Sequence, residues 1–312
     1  MKRTEYLSHI DQYINALPSM ERSEQTIKAY AVALLSFSIF LKENGIEEIT
    51  PLSVVAWRTD LAEKDTAANT VRQYLLRAHT FFAWCVRMNV LNENPVLLEE
   101  IPQPKAIEYS LMELNEIESV LESNPKNINR KTACRNRAIV ILLIQVGLRN
   151  SELRSLTPCD LHYEQNTITV RHGKGDKRRE VAFPSLAQEA VKEYLKSGIR
   201  PRFAKDTDPL FGTDADEHGH STGGKLWKEL SSAALRGIVK RYVKNTSGKE
   251  DAYPHLLRHA YASLCDHKNV PLRQIQLTMG HSSPATTDRI YISILDKGKA
   301  AQTVNEAFNS VF

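Results

Sequence analysis

The stretch Thr167-Ile168-Thr169-Val170-Arg171-His172-Gly173-Lys174-Gly175-Asp176-Lys177-Arg178-Arg179-Glu180-Val181-Ala182-Phe183 is where the chain changes its period from helix to strand. Thr167 to Val170 alternates in the way of a half-buried strand, Gly173 to Asp176 supply turn residues, and Arg179 to Phe183 can return as a second strand. This reads as a β-hairpin with a basic tip. Gly-x-Gly at 173–175 is not a nucleotide loop, because neither G-x-x-x-x-G-K-[ST] nor G-x-G-x-x-G surrounds it.

Around this hairpin the patterns are helical. After Pro184 helical spacing returns, interrupted from Gly212 to Gly224 by a Gly/His/Asp-rich loop without a period. Before the hairpin, Leu111 to Leu121 and Thr132 to Val146 read as helices, the second stopped by Gly147, and helix resumes at Ser151. Further upstream Ile27, Tyr30, Leu34, Phe37 and Leu41 recur at helical spacing, as do Val71, Tyr74, Leu75, Ala78, Phe82 and Val86. With weaker patterns at Glu5 to Leu17 and Pro51 to Lys64, they predict a four-helix N-terminal unit. Prolines at 95, 102 and 104 break helix, so the expected domains are residues 1–100 and 111–312, joined by a linker at 101–110. The fold class expected is mostly α with a small β-sheet.

The 312 residues suit two cores, and 42% hydrophobic with 25% charged residues is a globular composition. No stretch approaches the roughly 20 apolar residues of a membrane span. Met1 to Glu5 turns polar before any apolar run, which predicts no export signal and a cytoplasmic protein. The cysteines at 85, 134, 159 and 265 lack C-x-x-C spacing and read as reduced thiols. Residues 1–105 hold 11 Lys/Arg against 13 Asp/Glu, and the remainder 30 against 24, so attraction for a polyanion belongs mainly to the second part.

Attack on a phosphodiester builds negative charge on the non-bridging oxygens, and an enzyme without a metal needs fixed cations there, a nucleophile and a proton donor. In Gly147-Leu148-Arg149-Asn150-Ser151-Glu152-Leu153, Glu152 can hold the Arg149 guanidinium and leave other donors for phosphate. Alone, Arg-x-x-Glu is more often a surface ion pair. Lys174 on its glycine-flanked turn can donate a proton to a leaving oxygen, or be a solvated charge. Pro254-His255-Leu256-Leu257-Arg258-His259 places an imidazole and a guanidinium at i and i+3, with His259 a packing residue. His255 and His259 lack the Glu of H-E-x-x-H, which speaks against zinc. Met279-Gly280-His281-Ser282-Ser283 precedes Tyr291, and a lone Tyr between Ile290 and Ile292 is more often core than nucleophile.

Taken in order, Arg149, Lys174, His255-x-x-Arg258, Gly280-His281 and Tyr291 resemble the signature of the tyrosine recombinase family, which includes phage integrases and Xer-like proteins. The match covers about residues 110 to 295, and the front half resembles that family's helical core-binding domain. The resemblance implies a mixed α/β catalytic domain and a site-specific recombinase with no cofactor or metal. Arg149 and Arg258 would clamp the scissile phosphate, with His255 and His281 adding hydrogen bonds and proton transfer. Lys174 would protonate the 5′ oxygen and Tyr291 would form a 3′-phosphotyrosyl bond, while Glu152 supports Arg149. The implied partner is double-stranded DNA with an inverted-repeat site, bound by a homotetramer that exchanges strands through a Holliday junction in the bacterial nucleoid. A paired recombinase or accessory protein is a further option. Arg72, Arg77 and Arg87 on the fourth helix and Lys177 and Arg178 on the hairpin are the candidate DNA contacts. The stripe Ala300, Val304, Phe308 and Val311 would dock either on its own domain or, as the family implies, on a neighbouring protomer. Thr213 to His220 departs from a minimal Xer pattern and reads as a solvent loop, with a metal loop as the alternative.

Overall fold

The computed structural model describes residues 1–103, 111–123, 129–171, 178–215 and 226–280. The chain divides into two compact units, Met1–Ile107 and Glu108–Phe312. Among the described residues no helix is long and apolar enough to cross a membrane.

The first unit carries α1 (Arg3–Ala16), α2 (Glu24–Glu43), α3 (Pro51–Glu63) and α4 (Ala68–Arg87), so each of the four amphipathic patterns is a helix. Their starts follow from local chemistry. The Ser23 hydroxyl accepts the Thr26 N–H at the head of α2. Thr50 does the same for the Ser53 N–H, with Pro51 in the first turn of α3, where its missing N–H costs nothing. The apolar faces meet in an aromatic core: Tyr6 contacts Phe37, Phe81 and Phe82, and Phe37 lies against Trp57 with ring centroids 4.8 Å apart. The Tyr6 phenol is satisfied, since its hydroxyl donates to the Leu34 carbonyl.

The second unit contains α5 (Leu114–Glu122), α6 (Arg130–Gln145), α7 (Asn150–Ser155), β1 (Leu161–His162), β2 (Thr167–Val170), β3 (Arg179–Ala182) and α8 (Ser185–Lys196). It continues with β4 (Gly212–Ala215), β5 (Leu226–Glu229), α9 (Ser232–Ser247), α10 (Pro254–His267) and α11 (Leu272–Met279). Every residue from Ala138 to Ile144 is buried, as expected of a helix apolar on all sides, and α6 packs against α8, α9 and α10. The strands of the hairpin pair antiparallel with Ile168 opposite Val181, and β1 adds a third strand against β2. That two-residue strand is too short to show a period.

One expectation is corrected. Gly212 to Ala215 is not loop but β4, paired antiparallel with β5 so that Gly212 faces Glu229. A Cβ at Gly212 would lie 2.4 Å from the Lys228 carbonyl oxygen and 2.6 Å from the Trp227 ring, so glycine is there for close approach. Four residues beginning with glycine carry no alternation, and their pairing partner lies beyond the intervening segment. Residues 216–225, including most of the solvent or metal loop in question, are outside the described residues.

Candidate active site

The site begins where α6 stops. Gly147 turns the chain with φ +69°, and a Cβ there would come 2.6 Å from the Tyr261 ring, so both conformation and contact call for glycine. Two residues later Arg149 is the N-cap of α7, and Glu152, three residues on, returns its carboxylate to accept the Arg149 backbone N–H at 2.8 Å. This is half of a capping box. The same spacing lets Arg149 Nη1 donate to Glu152 Oε1 at 2.6 Å.

Two further guanidiniums converge on that carboxylate. Arg179, from β3, donates Nη1 to Oε1 and Nη2 to Oε2, both at 2.8 Å. Arg258, from α10, stands 3.8 Å from Oε2. One negative charge is thus surrounded by three positive ones, which leaves an excess of positive charge for an anion. One further donor from each falls on consecutive carbonyls at the end of α11: Arg179 Nε bonds Thr278, Arg258 Nη2 bonds Met279, and Arg149 Nη2 bonds Gly280. A helix C-terminus carries partial negative charge and unpaired carbonyls, so it attracts these cations. Arg258 Nη1 also bonds the Gly147 carbonyl.

Burial raises the Glu152 pKa, but the Arg179 fork and the Arg149 N–H outweigh it and bring the carboxyl down to about 2. Burial, then the charge of Arg149, lowers the Arg258 pKa from its ordinary value. A guanidinium nevertheless stays protonated. Partial loss of hydration, followed by the charges of Arg258 and Arg149, lowers that of His255, which favours its neutral imidazole. His255 sits in the first turn of α10, open to solvent, with its ring edge-on to buried His259 at 4.9 Å between centroids.

Arg149, Glu152, His255 and Arg258 therefore come together. The Arg149 side chain keeps 21% of its surface open against 1% for Glu152 and for Arg258, so Arg149 and His255 form the open side of the cluster. Lys174, Lys177, His281 and Tyr291 lie outside the described residues, as do residues 299–312. Arg178 is exposed beside a cavity of about 310 Å³ that Asp160, His162 and Arg171 also line. On α4, Arg72 and Arg77 are half-buried and Arg87 is exposed. At 3.6 residues per turn they spread over roughly 140° of the helix surface, a broad band rather than one line. Arg179 is the residue that sequence reasoning passed over. Its signal was strand alternation, since it shares a face with buried Val181 and so points inward despite its charge.

The family model described as "Phage integrase family" matches residues 111–297, and the one described as "Phage integrase, N-terminal SAM-like domain" matches residues 10–89. Tyrosine recombinase XerC of Bacillus licheniformis is 32% identical over 269 residues, covering 85% of this chain and 84% of the relative. XerC of Bacillus subtilis is 28% identical over 275 residues, covering 87% and 86%. Among solved structures, the post-cleavage complex of XerH site-specific recombinase with palindromic difH substrate has a TM-score of 0.71 at 23% identity, covering 90% of this chain and 80% of that one. A lambda integrase dimer bound to a COC′ core site has a TM-score of 0.67 at 17% identity, covering 93% and 95%. These last two likenesses establish the fold.

Proposed function

This chain belongs to the phage integrase family of tyrosine recombinases, and we propose that its arginine cluster holds a scissile DNA phosphate for attack by Tyr291. It is a site-specific recombinase that cleaves and rejoins DNA. The observation that carries the reading is the convergence of Arg149 and Arg258, from segments more than 100 residues apart in sequence, on one buried carboxylate, with His255 close enough to feel both charges.

The phenolic oxygen of Tyr291 attacks phosphorus, its proton passing to a base for which neutral His255 is suited. Charge gathers on the non-bridging oxygens, where Arg149 meets it directly and Arg258 acts from behind through its field. The bond from phosphorus to the 5′ oxygen breaks, and Lys174 donates the proton that makes the 5′-hydroxyl. The 3′-phosphotyrosyl bond keeps the energy of the diester, so a 5′-hydroxyl from another strand reverses the step. His281 adds a hydrogen bond to the phosphate. Arg72, Arg77, Arg87, Lys177 and Arg178 contact backbone phosphates of an inverted-repeat site. Four protomers exchange strands in two rounds through a Holliday junction, linked by the apolar stripe at 300–311, with a second recombinase or accessory factor where the site requires one.

The test uses duplexes that the wild-type chain enriches from a randomised palindromic pool, incubated in EDTA with wild-type and Tyr291→Phe protein. A denaturation-resistant adduct with wild type alone, carrying a free 5′-hydroxyl, is expected. An adduct with Tyr291→Phe, or cleavage only with divalent ions, overturns the reading.

A further inference from the structure

Arg179 is the one guanidinium of the cluster to which the cleavage chemistry assigns no role. Each of its nitrogens is engaged within the protein: Nη1 and Nη2 donate to Glu152 and Nε to the Thr278 carbonyl at 3.0 Å, with only 14% of the side chain open to solvent. A carboxylate accepts about four hydrogen bonds. Arg149 supplies two, from its backbone N–H and Nη1, and Arg179 supplies two more. Without Arg179 the carboxylate would be fixed chiefly by the residue it has to hold, and the two could turn together.

We propose that Arg179 is a positioning residue for strand cleavage, its planar fork locking the Glu152 carboxylate so that the Arg149 guanidinium meets the phosphate in one orientation. The inference rests on Arg149 as the phosphate ligand. A fork is needed, because two parallel N–H donors define a plane whereas an ammonium is a point charge. Arg179 is itself anchored, by Thr278 and by Gly280, where an added Cβ would lie 3.0 Å from its guanidinium carbon. The charged groups facing Glu152 are Arg149 from α7, Arg179 from β3 and Arg258 from α10. Loss of Arg179 weakens the depression of the Glu152 pKa, so cleavage should gain an acid limb.

The experiment measures single-turnover adduct formation by the full chain on a nicked duplex of enriched sequence, from pH 5 to 8, with DNA affinity read by gel shift. Arg179→Lys, Glu152→Gln and the double variant are compared with wild type. Arg179→Lys should cleave about 10- to 100-fold more slowly, as expected for a group that orients a ligand-contacting residue. Its affinity for the duplex should stay within about twofold, and its rate should fall as pH drops where the wild-type rate does not. Because Arg179 acts through Glu152, the double variant should be no slower than Glu152→Gln alone. A folded Arg179→Lys protein that cleaves at the wild-type rate, or losses that multiply in the double variant, overturns the inference. Should Arg179→Lys unfold, Arg179→Gln in the Glu152→Gln background, which leaves no buried carboxylate charge, carries the same comparison against Glu152→Gln. A wild-type chain that forms no adduct overturns the reading of the site itself, a failure visible before any Arg179 variant is made.

Discussion

The two units solve the problem of burial differently. The core of the first unit is aromatic, built on Tyr6, Phe37, Trp57, Phe81 and Phe82, and among the described residues Ser53 is its one buried polar side chain. The second unit has an aliphatic core around α6 and, beside it, buried Glu152, Asp160, Arg258 and His259. Burying charge is costly unless it is paired, so a unit that does so has a use for the charge. The contrast separates a domain held by apolar packing from one that keeps an electrostatic site inside its fold.

Three measurements test that contrast, the first with the largest expected effect. Glu152→Ala leaves three guanidiniums facing one another and should destabilise the second unit by about 3–5 kcal/mol in urea unfolding. A loss below about 1 kcal/mol would mean that the cluster is not electrostatically interdependent.

Next is acid. The Glu152 carboxyl titrates lower in the folded chain than in the unfolded one, where its value is about 4.3. Its contribution to stability is therefore complete above that value and is lost as pH falls towards about 2. Urea midpoints of wild type should drop between pH 5 and 2.5, and Glu152→Gln should drop less. Equal slopes would remove Glu152 from the account.

The smallest effect belongs to the first unit. Ser23→Ala removes the cap of α2 and should cost about 1 kcal/mol. Because the lost group is an uncharged hydroxyl, the cost should be the same at pH 7 and pH 4. A cost that changes with pH would blur the distinction between the units.

Much of this was legible in the sequence. In the first unit α2 follows from Ile27, Leu34, Phe37 and Leu41 at helical spacing, and α4 from Val71, Leu75, Ala78 and Phe82. The hairpin followed from Thr167 to Val170 and its turn, and Arg149, Glu152, His255 and Arg258 stood out by residue type and spacing. Strand β4 did not, because Gly212 to Ala215 gains its conformation from partners at 226–229. Arg179 did not either, since one more arginine in Lys177-Arg178-Arg179 looks like surface charge until the fold turns it inward.

The amino-acid sequence by itself determined the helices, the hairpin and most of the roster of reactive groups, because hydrophobic period and turn residues act over a few neighbours. The tertiary structure alone decided which donors meet which acceptors. Arg179 reaches Glu152 across 27 positions, Arg149 reaches the Gly280 carbonyl across 131, and Arg258 reaches that of Gly147 across 111. Such contacts exist only once α6, α7, α10, α11 and β3 have packed, since a charge can be buried beside another only where the fold has already excluded water.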